Sequence, residues 1–289
     1  FFFKQKTAYE IPKRDWSSDV CSSDLKKLRA LHEAPGAFVI PNPWDAGSAQ
    51  VLEGLGFQAL ATSSGAKAGV LGKRDGKVSR EESIANARLI AGAVDIPVIG
   101  DLEKGFGDTP KDAAETIRQG AAAGLVGGSI EDATGDKDNP LFDIDTQVAR
   151  VKAAAEAART LGFPFVLTAR AEGCLRGRPD IDEIIMRLQA FEAAGADVLM
   201  APGLPDLAAV KKVTGALKKP FNFMVGIPKR SFSKAELEAA GVKRISLATS
   251  LYKAAMTGLL SAARQAKDGN FGYVDTVVST AELSGYMRE

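Results

Sequence analysis

The chain has 289 residues, 45% hydrophobic and 25% charged, a composition that can bury a sizeable core and excludes disorder as the main state. Lysine plus arginine number 37 against 36 aspartate plus glutamate, a formal charge of +1, so no strong field exists to gather phosphate backbones and no nucleic-acid partner is expected. No run approaches the roughly 18 apolar residues that span a bilayer, and Phe1 to Phe3 are followed by charges rather than by a secretory apolar region. The two cysteines, Cys21 and Cys174, neither build a disulfide framework nor lie at zinc-knuckle spacing. These features predict a cytoplasmic protein with no membrane partner.

Residues 1–25 read FFFKQKTAYEIPKRDWSSDVCSSDL, with no helical or strand period and a Ser/Asp-rich end unlike the Ala/Gly-rich text that follows. The string resembles the conceptual translation of sequencing-adapter DNA. It is expected to be a non-native extension, with the functional domain occupying 26–289. From Leu28 onward, short apolar runs alternate with longer stretches of helical period. The runs are Phe38–Pro41, Ala59–Ser63, Pro97–Asp101, Gly124–Ile130, Phe165–Ala169, Asp197–Ala201, Phe221–Val225 and Ile245–Ala248. Each is nearly continuously apolar, as strands buried on both faces should be. Between them lie Ala-rich amphipathic segments such as Asp112–Ala123, Thr146–Leu161 and Ile181–Ala194, closed by Gly124, Gly162 and Gly195. Eight βα pairs without a linker predict a (β/α)8 TIM barrel. A doubly wound open sheet is the alternative, but no glycine fingerprint follows the first run. A further helix, Leu251–Lys267, and a tail from Gly269 to Glu289 form an extra C-terminal segment that either caps the barrel or crosses to a neighbouring subunit.

In such a barrel the active site forms past the C-terminal ends of the strands, and there the sequence is acidic. The third run ends in Gly100-Asp101-Leu102-Glu103, the fourth in Ser129-Ile130-Glu131-Asp132 and the fifth in Thr168-Ala169-Arg170-Ala171-Glu172. A period of two puts Asp101 and Glu103 on one side, and the neighbouring strand brings Glu131 beside them. Three crowded carboxylates raise one another's pKa unless a cation joins them. All-oxygen ligation suits a hard ion, Mg²⁺ or alternatively Mn²⁺, with one direct ligand, Asp101, and the others acting through water. Asp132 and Glu172 read as supporting or capping residues.

Arg170 enters this mouth with a planar fork that either grips a substrate oxyanion or neutralises Glu172 or Glu131. Thr62-Ser63-Ser64-Gly65 offers exposed amides, suited to an anion nest or an ordinary turn. Trp44 and Asp45, past the first run, and Asn222, within the seventh, complete the candidate substrate contacts. His32, the only histidine, precedes the first run, so no Ser-His or Cys-His pair and no HExxH site is available.

At GDLEKGFGD (Gly100–Asp108), SIEDATGD (Ser129–Asp136) and LTARAE (Leu167–Glu172) the sequence resembles the isocitrate lyase/phosphoenolpyruvate mutase superfamily. PNPWDAGSA (Pro41–Ala49), LGKRDG (Leu71–Gly76) and GRPDIDEII (Gly177–Ile185) resemble its less-characterised branch. The resemblance implies a Mg²⁺-dependent barrel that cleaves or forms C–C or P–C bonds next to a 2-oxo acid through an enolate held on the metal. It implies Asp101 as direct ligand, Glu103 and Glu131 through water, Arg170 and the Ser63–Gly65 amides on the substrate, and Asp75 near the reacting centre. It also implies a homo-oligomer, dimer or tetramer, with swapped C-terminal helices. Lyases of this family carry a Lys-Lys/Arg-Cys-Gly-His loop after the fourth strand, whose Cys is the general acid. Here that loop reads ATGDKDNPLFD, with Lys137 and Asn139 at the spacing of a mutase gating loop. The expected activity is therefore a lyase acting on an oxaloacetate-like 2-oxo acid, decarboxylation included. The alternatives are a P–C mutase or hydrolase using phosphonopyruvate or carboxyphosphonoenolpyruvate, and a non-catalytic metabolite-binding barrel.

Overall fold

The computed structural model describes residues 18–288. The eight strands are β1 Phe38–Ile40, β2 Leu60–Ala61, β3 Val98–Asp101, β4 Gly127–Glu131, β5 Val166–Arg170, β6 Val198–Met200, β7 Phe221–Met224 and β8 Arg244–Ser246. The helices are α1 Ser18–Glu33, α2 Ala46–Gly54, α3 Ser64–Val70, α4 Arg80–Gly92, α5 Pro110–Ala122, α6 Ile144–Arg159, α7 Ile181–Ala193, α8 Leu207–Gly215, α9 Lys234–Ala239, α10 Ser250–Lys267 and α11 Thr280–Ser284. Each strand overlaps one of the eight apolar runs, with Glu131, Arg170 and Arg244 lying one residue outside theirs, and all pairings are parallel in the order β1-β8-β7-β6-β5-β4-β3-β2. The seam between β1 and β2 is bridged just past the strands, where the Ala61 amide donates to Pro41 O at 3.0 Å and Asn42 Nδ2 donates to Thr62 O at 2.9 Å. The result is a nearly closed (β/α)8 barrel, as the alternation of runs and helical segments predicts.

Local chemistry sets the boundaries. Thr109 caps α5 in a reciprocal box with Asp112, Pro110 sits in the first turn, and Ala113, Ala114, Ile117 and Ala121 bury the inner face. Gly124 and Gly195 leave their helices at φ of 97° and 108°, a region open to glycine at little cost. Side chains of the outward strand faces and inner helix faces form the main core, including Leu102, Ile117, Ile130, Phe191 and Phe221. A second cluster fills the lower barrel, where Leu28 of α1 is fully buried against Ile40, Ala61, Ile99 and Val166.

The segment 1–25 shows no period in sequence, yet α1 starts at Ser18; Ser and Asp are acceptable in a first helical turn, and the amphipathic stretch from Lys26 supplies the packing that carries the helix backward. Residues 1–17, Trp16 among them, lie outside the described residues. The C-terminal segment is helical as expected, but α10 has no buried residue, and Leu259, Leu260, Phe271 and Val274 stand exposed along it and the turn after it. Among the described residues no helix is long and apolar enough to cross a membrane.

Candidate active site

A cavity of about 700 Å³ opens at the C-terminal ends of the strands and reaches into the barrel as far as Ile40, Ile99, Asn222 and Arg244. Its wall carries Asp101, Glu103, Glu131, Arg170 and Glu172. Asp101 closes β3, and its Oδ2 accepts from the Ser64 amide at 3.0 Å, while Oδ1 accepts from Arg170 Nη1 at 2.9 Å and from the Glu103 amide at 3.3 Å. Burial pushes its carboxyl up, but Arg170, Lys67 and these amides outweigh burial and hold it below the ordinary range.

Glu103 arrives by a different route from the one the strand period suggests. β3 ends at Asp101, Leu102 turns into the core, and Glu103 adopts φ of 51°, a left-handed conformation that swings its side chain back over the cavity. There Oε1 lies 3.4 Å from Nζ of Lys67, a lysine that is 1% exposed on α3, donates to Ser83 Oγ and lies over the Phe106 ring. Burial raises the Glu103 carboxyl, with Lys67 opposing and Asp101 adding to the rise.

Glu131 ends β4 beside Arg170 of β5, in register across the sheet. The Arg170 fork is fully engaged. Nη2 lies 3.1 Å from Glu131 Oε2, and Nε and Nη2 donate to Glu172 Oε1 at 3.1 and 2.7 Å. Burial lowers the arginine, but Glu172, Glu131 and Asp101 reverse that and raise it. Glu131 is pushed well above the carboxylate range by burial, against Arg170 and with Glu172 and Asp101 reinforcing the shift. Of the two roles open to Arg170, neutralising its neighbours is the one seen here.

Asp132 lies behind this wall, fully buried. It accepts from the Glu172 amide at 2.8 Å and sits 3.3 Å from Arg187 Nη1, and burial pushes it up to about 6. Both Asp132 and Glu172 thus support the wall rather than cap helices.

The turn after β2 joins the site. Ser63 caps α3, accepting from the Ala66 amide, and Gly65 leaves no room for a side chain: a Cβ there would stand 2.7 Å from Thr249 Cγ2 and 3.3 Å from Asp75 Oδ2. Ser63, Ser64, Gly65 and Asp75 all line the cavity. Asn222 is 1% exposed on the floor, where it accepts from Arg244 Nε at 2.8 Å and donates to Ser246 Oγ at 3.0 Å.

Four expected contacts are not on the cavity wall. Trp44 packs edge-on against Tyr252 of α10 with ring centroids 5.5 Å apart, and Asp45 caps α2 in a reciprocal box with Ser48. Lys137 and Asn139 are exposed on a loop closed on itself by a bridge between Ala133 and Leu141 and by the Thr134 hydroxyl on Asn139 O. Only Ala133 and Gly135 of that loop reach the cavity.

Three functional candidates escape sequence reasoning. Lys67 is the lone charge in SSGAKAGV, and a buried helix face explains it only in retrospect. Arg244 starts β8 and is 2% exposed, with Nη2 donating to Thr168 Oγ1 at 2.9 Å; burial lowers it to about 9. Arg176 follows a 3-10 turn, Gly173–Leu175, at the cavity mouth.

An acidic, arginine-buttressed cavity at the C-terminal mouth of a (β/α)8 barrel stands where enzymes of this fold place their active sites. Residues 28–267 match the family model described as phosphoenolpyruvate phosphomutase, and the chain belongs to that family, within the phosphoenolpyruvate mutase/isocitrate lyase superfamily. A solved structure from Burkholderia cenocepacia J2315, described as a lyase/mutase, is 45% identical, with a TM-score of 0.91 over 93% of this chain and 97% of that one. The 2,3-dimethylmalate lyase of Eubacterium barkeri is 29% identical over 90% of this chain and 93% of its own length. An oxaloacetate decarboxylase of Paraburkholderia xenovorans is 28% identical over 86% and 84%. The relatives are thus lyases and mutases.

Proposed function

We propose that the protein is a Mg²⁺-dependent lyase that breaks a C–C bond of an oxaloacetate-like 2-oxo acid, loss of the carboxylate one carbon beyond the 2-oxo group being the simplest case. The observation that carries this reading is the Asp101 carboxylate, presented at a strand end among Glu103, Glu131 and the Ser64 amide, in a cavity whose lining includes no cysteine or histidine. Among the described residues no three His, Cys, Asp or Glu side chains are gathered closely enough to hold a metal ion unaided. The donor set still fits Mg²⁺, which takes one or two carboxylates directly and keeps its waters. Burial is the main force that raises Glu103 and Glu131, and a cation held between them and Asp101 would oppose that rise.

Asp101 would hold the ion, with Glu103 and Glu131 reaching it through water. Mg²⁺, when bound, supplies positive charge to the negative charge that develops as the bond breaks. The protein's own part is positioning. The Ser64 amide orients Asp101, the turn at Gly65 lies against the substrate's carboxylate end, Arg170 holds Glu131 and Asp101 in place, and Asp75 stands over Gly65 near the reacting carbon. Decarboxylation needs no general acid on the leaving group, which suits a loop, ATGDKDNPLFD, without Cys or His. Exposed Leu259, Leu260 and Phe271 support a homo-oligomer that covers the C-terminal helices.

The test is an assay of the purified protein with Mg²⁺ against oxaloacetate, phosphonopyruvate and methylisocitrate, with calorimetry of oxalate as an enolate mimic. Oxaloacetate turnover that disappears in Asp101→Ala is expected. Brisk methylisocitrate cleavage, or no Mg²⁺ and oxalate binding in the parent, overturns the reading.

A further inference from the structure

Three guanidinium groups line the cavity, and they differ in what they still have to give. Arg170 has every nitrogen committed to Asp101, Glu131 or Glu172. Arg244 lies on the floor, 2% exposed, held by Asn222 and Thr168, with its buried Nη1 left without a partner. Arg176 is the one whose head is exposed at the mouth. Its side chain is 42% exposed, and its nearest acceptors are Glu172 Oε2 at 3.5 Å and Glu131 Oε1 at 3.7 Å. Among the described residues its guanidinium donates no hydrogen bond in which the geometry is satisfied, and Glu172 Oε2, on a side chain 1% exposed, accepts none.

The base of this arm is firm while its head is loose. The Arg176 amide donates to the carbonyls of Glu172 and Gly173, both at 3.1 Å, so the Cα is tied to the 3-10 turn that follows Arg170 by two residues. The head lies next to Glu131 on the side away from Asp101, since Arg170 bridges Asp101 through Nη1 and Glu131 through Nη2. An acid with its 2-oxo end at Asp101 and its far end beyond Arg170 meets Arg176. These ion pairs are long, at 3.5 and 3.7 Å, so turning from Glu172 and Glu131 to an incoming carboxylate breaks no formed hydrogen bond. A planar fork then gains two parallel charge-assisted hydrogen bonds that it lacks in the free enzyme.

We propose that Arg176 is the specificity-determining residue for a second, distal anionic group on the substrate, making the site selective for 2-oxo dicarboxylates over 2-oxo monocarboxylates. The proposal rests on the functional reading above, and deepens it by assigning the far end of the substrate to a residue outside the Asp101 and Arg170 set. It also accounts for how a dianion enters a mouth crowded with carboxylates: an exposed guanidinium that forms no hydrogen bond with its carboxylate neighbours meets it there.

The experiment uses the full chain and its Arg176→Gln and Arg176→Lys variants, with Mg²⁺ throughout. Oxaloacetate turnover is measured alongside inhibition by 2-oxobutyrate, a monocarboxylate of the same carbon count, and calorimetric binding of oxalate, which is too short to reach Arg176. The expected result is that the parent prefers oxaloacetate, that Arg176→Gln raises KM for oxaloacetate by about tenfold or more, and that 2-oxobutyrate and oxalate affinities stay within about twofold. Arg176→Lys restores part of the loss, because charge survives without the fork. An unchanged preference for oxaloacetate in Arg176→Gln, with oxalate still bound, refutes the assignment of Arg176 alone. Equal weakening of all three ligands refutes it too, since it marks Arg176 as a prop for Glu131 and Glu172. Absence of oxalate binding in the parent removes the functional reading and this proposal together.

Discussion

Replacing Arg170 by Met keeps the bulk of the side chain and deletes the one cation shared by Asp101, Glu131 and Glu172, which are 17%, 11% and 1% exposed at the side chain. Removing one partner of a buried ion pair typically costs about 3–5 kcal/mol because the remaining charge is left in low dielectric. The cost depends on pH. Glu131 already titrates above its ordinary value in the folded protein, with Arg170 the main force opposing the rise. Without Arg170 the folded value climbs further above the unfolded one. The extra penalty is therefore absent while the carboxyl is protonated in both states and grows as pH rises through the unfolded value near 4.5 toward the folded value. Each pKa unit added by the substitution corresponds to about 1.4 kcal/mol. Urea unfolding of parent and Arg170→Met at pH 5 and pH 8, without divalent cations, measures this directly. The expected gap is about 3–5 kcal/mol at pH 8 and clearly smaller at pH 5. A gap equal at the two pH values would refute the reasoning, because it would mean that lost packing, not uncompensated charge, sets the cost.

Three further outcomes follow from individual groups. The imidazole of His32, the sole histidine, is held near 4 by burial and by Arg244, so its NMR resonances in tag-free protein stay in the neutral position down to about pH 5. Its stabilising contribution, about 3 kcal/mol, is present above 6.5 and lost as pH falls toward 4; a midpoint above 6 contradicts the burial. Asp132 works in the opposite sense: raised to about 6 from 3.8, it favours the folded state most at low pH and loses that advantage as pH rises through this window. Asp132→Asn should flatten the fall in stability between pH 4 and 6 by about 3 kcal/mol, read from urea midpoints across that range. Gly65→Ala forces a methyl to 2.7 Å from Thr249 Cγ2, so a loss of about 1–3 kcal/mol in thermal unfolding is expected, with weakened oxalate binding; full binding with unchanged stability would show that the turn yields freely.

Most of the architecture is legible in the chain because burial on both faces writes itself as continuous apolar runs. Phe38–Pro41, Pro97–Asp101 and Phe165–Ala169 each overlap a strand of the barrel, and Asp101, Glu103, Glu131 and Glu172 do stand at one mouth. What misleads is the short range of the rules. A period of two carries Asp101 correctly to the cavity, but Glu103 gets there through a left-handed turn, and Asp45, which ends the first run in the same way, caps a helix instead. Lys137 and Asn139 sit at a meaningful spacing in a loop whose internal hydrogen bonds keep them outside.

The sequence by itself determined the barrel, the acidic strand ends and the lack of a histidine or cysteine acid beside them, since these depend on residue type and local period. Only the tertiary structure decided which charges meet. Lys67 and Glu103, 36 residues apart, and Arg170 and Asp101, 69 apart, become partners because the barrel closes their strands around one cavity. Their titration follows from that enclosure, because the desolvation and Coulomb forces that shift a carboxyl act through space and fall with distance in three dimensions, not along the chain.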